Sequence, residues 1–66
     1  MTYMPEVFTI VSTDRDTGIK LVEKTSNTQV MTKTATENAK YFPYVVVYSD
    51  VRDEIVMKFV RGYQVV

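Results

Sequence analysis

The stretch DRDTG, residues 14–18, concentrates the residue types best suited to chemistry in this chain. Asp16-Thr17-Gly18 is a tripeptide in which a carboxylate can serve as one half of a proton-sharing acid pair. Asp14-x-Asp16 is also the opening of a calcium-binding loop. A third use of the same residues is mechanical. Gly supplies a left-handed backbone position and Asp side chains accept local N–H groups, so the stretch turns the chain between two strands.

The two chemical uses make demands that the neighbouring sequence does not meet. An aspartic protease sets two carboxylates together in an apolar enclosure beneath closing flaps. Retroviral-type protease subunits share only the tripeptide with this chain. Charged Asp14 and Arg15 precede it where those subunits carry apolar residues, and 66 residues are too few for the matching barrel and flap. The calcium loop needs oxygen ligands at its first, third and fifth positions, Gly at the sixth and Glu at the twelfth. Counting from Asp14, these last three fall on Gly18, Ile19 and Thr25, so the pattern stops after two ligands. The stretch is expected to be a hairpin loop.

Elsewhere the means for catalysis are sparse. The chain contains neither His nor Cys, which removes the commonest general bases and nucleophiles and the usual ligands of a structural zinc site. Asp50, Asp53 and Glu54 cluster near a second turn, where carboxylates are ordinarily solvated. The chain is expected not to be an enzyme and to need no cofactor or metal.

The aromatic residues say more. Tyr41, Phe42, Tyr44 and Tyr48 fall close together, with Phe59 and Tyr63 further on. Interleaved with Lys40, Lys58 and Arg61, they could stack the bases of a single-stranded nucleic acid. The balance of 8 basic and 8 acidic residues argues against this use, because phosphate contacts normally demand a basic excess. Dividing the chain after residue 32 leaves −1 on the first part and +1 on the second. Tyrosine at a protein–protein interface needs no net charge. Tyr44, Tyr48, Arg61 and Tyr63 are therefore the expected partner-binding residues, with Phe42 and Phe59 in the core.

The elements that position these residues follow from periodicity and punctuation. Residues 7–12 (VFTIVS) are β-branched and aromatic, and residues 19–24 (IKLVEK) alternate, so both are predicted strands. Residues 25–28 form a polar break, and residues 29–33 (QVMTK) are a weaker third strand candidate. Thr34 and Glu37 have capping-box spacing, and Ala35, Ala39 and Phe42 follow on one stripe. This predicts a helix of about eight residues ended by Pro43 and held by packing on the sheet. Residues 44–49 (YVVVYS) are the strongest strand signal, expected to be central and covered on both faces. Residues 50–53 turn the chain into EIVMKFV, with Ile55, Met57 and Phe59 on one face, and Gly62 marks a bulge or bend before YQVV. The sum is a single α+β domain over residues 1–66, ordered β-β-(β)-α-β-β. It comprises an antiparallel sheet of four to five strands with one short helix on one face.

A domain this small buries only about 60% of the surface of its unfolded chain, and small domains commonly add disulfides, metals or a partner chain. With no Cys, and with an apolar C-terminal stretch that would leave a bare sheet edge, a homodimer or a covered partner surface is expected. The N-terminal residues MTYMPEVF have neither the positive segment nor the apolar segment of a signal peptide. The longest apolar run, residues 45–48, cannot span a bilayer, so a soluble cytoplasmic protein with no membrane partner is expected. These features suit a small stand-alone regulator or inhibitor that docks on a larger protein, by analogy with the compact proteins of phages and mobile elements. The alternatives are a nucleic-acid-binding module and a structural subunit of a larger assembly such as a virion.

Overall fold

The computed structural model describes residues 6–66; residues 1–5, which open the stretch read for a leader peptide, lie outside the described residues. A hairpin, one helix and a three-stranded meander build the molecule: β1 (Phe8–Asp14), β2 (Ile19–Thr25), α1 (Thr28–Asn38), β3 (Tyr44–Ser49), β4 (Glu54–Val60) and β5 (Tyr63–Gln64). All strand pairings are antiparallel, in the spatial order β2-β1-β3-β4-β5. The α+β architecture read from the sequence is the one observed, although the uncertain strand lies after β4 rather than before the helix.

DRDTG is the hairpin loop. Asp14 pairs with Ile19 across its mouth, Gly18 has φ of 75° and donates its N–H to the Asp14 carbonyl at 2.9 Å, and the Asp14 carboxylate accepts the Asp16 N–H at 3.0 Å.

The helix differs from expectation at both ends. Residues 29–33 are not a strand; they form most of its first half. The polar break before them is the start signal, because the Asn27 side chain accepts the Val30 N–H at 3.0 Å and Thr25 Oγ1 accepts the Asn27 N–H at 3.1 Å. Thr34 thus lies mid-helix and Glu37 in its last turn, and they form no capping box. Ala39, rather than Pro43, caps the far end, with Tyr41 and Phe42 continuing one more turn by donating to the Asn38 carbonyl. Met31, Ala35 and Ala39 are buried against Phe8, Ile10, Val45, Val47 and Phe59. At about 25 cal/mol per Å² of apolar surface removed from water, this contact stabilises a helix whose Thr-rich sequence has little propensity of its own.

Two further corrections concern β3 and β4. Strand β3 is central, but the helix covers only the face of Val45, Val47 and Ser49; Tyr44 and Val46 are half-buried and Tyr48 is exposed on the other face. In β4 the register with β3 jumps, so that Val47 faces Met57 while Tyr48 faces Ile55. Val56 is the extra residue of a bulge, and it moves Ile55 off the face of Met57 and Phe59 and onto the face of Tyr48. The bend expected at Gly62 is present. Arg61 and Gly62, with φ of 52° and 85°, make a two-residue turn that pairs Val60 with Tyr63. Val65 then donates to the Lys58 carbonyl at 2.8 Å and Lys58 donates to Val66 at 3.2 Å. The chain's own end thus covers the edge of β4 along residues 58–60, while residues 54–57 have no strand paired on that side among the described residues. Among the described residues, no helix is long and apolar enough to cross a membrane.

Candidate binding surface

The register places side chains on the helix-free face in cross-strand rows. One row runs Lys20, Thr13, Tyr44, Val60, Tyr63, and the next runs Val22, Val11, Val46, Lys58. A third runs Lys24, Thr9, Tyr48, Ile55. No described element of secondary structure lies over these rows. The face therefore carries apolar residues and tyrosines that a second layer would normally shield, with lysines among them.

Of the four expected partner-binding residues, the structure brings Tyr44 and Tyr63 together across Val60 and puts Arg61 in the adjoining turn. Tyr48 shares the face but stands four residues along β3 from Tyr44, about 13 Å at the usual rise per residue. Tyr63 is 77% exposed and Tyr48 40%, whereas Tyr44 is half-buried with the Arg15 guanidinium 4.6 Å above its ring. Arg15 is the residue that sequence reasoning missed. It looked like part of the turn, yet the pairing of Thr13 with both Lys20 and Tyr44 sets the 15–18 loop beside Tyr44.

At this end of the sheet lies a cleft of about 820 Å³, lined by the 15–16 loop, residues 39–44 and the 61–62 turn. Its charged residues are Arg15, Lys40, Arg61 and Asp16. The walls are tied together by the Arg61 N–H donating to the Pro43 carbonyl at 2.7 Å, and Gly62 lies against the Ala39 carbonyl. Neither Arg15 nor Arg61 forms an ion pair among the described residues, and Lys40 meets only Glu37, at 3.4 Å with both side chains more than half exposed.

The opposite end is built differently. Glu6 accepts hydrogen bonds from the buried Ser49 hydroxyl and from Arg52 Nε at 2.6 Å, and Arg52 also reaches Glu54 at 2.8 Å. The Ser49 bond first, and then Arg52, hold the Glu6 carboxyl below its ordinary pKa. Asp50 accepts from Thr9 Oγ1 at 2.9 Å and pairs with Lys24 at 3.5 Å. Asp50 and Glu54, two of the three carboxylates considered for acid–base chemistry, are thus engaged in fastening the turn. The third, Asp53, occupies a left-handed position in it with φ of 53°.

Comparisons with protein families, with curated proteins and with solved structures give no match for this chain.

Proposed function

We propose that the chain is a binding protein whose working surface is the helix-free face of its sheet, and that it acts by docking on a larger protein as a regulator or inhibitor. The observation that carries this reading is the exposure of Tyr48, Ile55 and Tyr63 on a sheet face that no described element covers. Tyrosines on a rigid sheet lose little conformational freedom on binding and offer both apolar area and a hydroxyl, which suits them to the centre of an interface. Affinity capture with the wild-type chain, with and without nuclease, tests the reading. One stoichiometric protein should survive nuclease, and Tyr48→Ala and Tyr63→Ala should each weaken its binding by about 1 kcal/mol or more while the fold persists. Undiminished binding by both variants would sink the proposal.

Nucleic acid is the second reading, and the structure adds an observation in its favour. The neutral total conceals a segregation, since Lys20 and Lys58 on the open face, like Arg15 and Arg61 at its end, have no carboxylate partner among the described residues. Cations interleaved with tyrosines on a sheet can track a single strand. Capture lost to nuclease, with affinity falling steeply between low and moderate salt, would favour this reading over protein docking.

A further inference from the structure

We infer that the cleft between Arg15, Lys40 and Arg61 binds a nucleotide, taking its phosphate between the two guanidinium groups and its base against Tyr41. This is a small-ligand site at one end of the sheet, and it rests on neither reading of the open face.

Charge is the first support. The chain has three arginines. Arg52 is bound to Glu6 and Glu54, and the two that lack a carboxylate both line this cleft. With Lys40 they bring three cations against the single lining carboxylate of Asp16, a net charge of +2 on the lining residues, with Glu37 paired to Lys40 just outside it. A phosphate monoester carries about −1.5 to −2 at neutral pH and so matches the whole cluster, which one carboxylate would not. Guanidinium groups also suit an oxyanion because their planar fork meets two oxygens at once. Lys40 is held only by a solvent-exposed pair with Glu37, which is worth little and is readily exchanged for a ligand.

The backbone beneath Arg61 is the second support. The first position of such a two-residue turn normally takes Asn, Asp or Gly, because φ is positive there. This chain places Arg there, at φ 52°, in a turn that lines the cleft. A residue type that costs strain at its position is commonly found where its side chain is needed for binding. The third support is aromatic. Tyr41 is 77% exposed in the wall beside Lys40, a position that contributes little to the core but suits stacking of a base.

The test uses the full chain and four probes: adenosine 5′-monophosphate, adenosine, inorganic phosphate and a 5′-phosphorylated tetranucleotide. Binding is followed by calorimetry and by amide shifts of residues 15, 40–44 and 61. The monophosphate should bind one to one, inorganic phosphate should compete with it, and adenosine should bind at least tenfold more weakly. Arg61→Asn removes the guanidinium while giving the turn a residue it prefers, so affinity should fall at least tenfold with no loss of thermal midpoint. Tyr41→Ala should weaken the monophosphate but leave inorganic phosphate unchanged. A tetranucleotide as tight as the monophosphate would assign a free nucleotide, and one at least tenfold tighter would assign a strand end; either result supports the site. The inference is overturned if the monophosphate fails to saturate at millimolar concentration, if adenosine equals it, or if Arg61→Asn binds it undiminished. It is equally overturned if an acidic hexapeptide occupies the cleft in its place.

Discussion

The two ends of the sheet contain similar residue types and use them in opposite ways. At the β3–β4 turn the charges are spent on one another, with Glu6, Arg52 and Glu54 joined in a chain, Ser49 beneath them and Asp50 held by Thr9 and Lys24. At the other end, Arg15 and Arg61 face a cleft without carboxylate partners, and the walls are joined by backbone. Charge that is satisfied internally fastens a fold. Charge left unsatisfied in a concave site is available to a ligand. Net charge cannot distinguish the two, because the total is zero in a chain that contains both.

Substitution can break this contrast. Ser49→Ala should have the largest effect, because Ser49 is fully buried and its hydroxyl both donates to Glu6 and accepts the Arg52 N–H at 3.2 Å. Losing both bonds at a buried site should cost about 2 kcal/mol, read as a lower urea midpoint with the slope unchanged. A loss below about 0.5 kcal/mol would show that the turn end is not held by this network.

At the cleft end the expected effects are smaller and come from backbone. Gly62→Ala forces a Cβ into a left-handed position, with φ of 85°, and should cost about 1 kcal/mol. The added methyl meets only the Ala39 carbonyl, at 3.8 Å, so strain and not collision sets the loss. Arg61→Asn should leave stability unchanged or raise it by up to about 1 kcal/mol. If Arg61→Asn were as destabilising as Ser49→Ala, the guanidinium would be part of the framework and the contrast between the ends would fail.

How far the sequence disclosed this arrangement depended on how local the signal was. The DRDTG hairpin, the central YVVVYS strand and the β4 strand follow from composition and turn residues within a few positions. The helix start was equally local but ambiguous, since Thr25–Asn27 suits a loop as well as a cap and Val30 favours a strand. Only the burial of Met31 against the sheet decides for helix. The Val56 bulge has no signal of its own, because it is a property of the pairing with β3. The cleft was the least legible. Three of its contributors, Arg15, Lys40 and Arg61, lie far apart in the chain and meet only through the register that sets Thr13 beside Tyr44 and the Arg61 N–H on Pro43.

The finest test of the contrast is pH, because the fastened end has a carboxyl displaced by its partners. Glu6 lies below its ordinary value of 4.5, chiefly through the Ser49 hydroxyl and then through Arg52. A carboxyl whose folded pKa is depressed binds protons more readily when unfolded. Its contribution to stability is therefore fully present above about pH 4.5 and is lost as the pH falls through the lower folded value. Glu6→Gln removes that titration and keeps a side chain able to accept from Ser49. The thermal midpoint of the variant should lie slightly below that of the wild type at pH 7, and the difference should close as the pH falls through the lowered folded value. A constant gap between Glu6→Gln and wild type down to pH 2 would mean that Arg52 and Ser49 do not hold Glu6 in solution. The two ends would then differ in geometry alone.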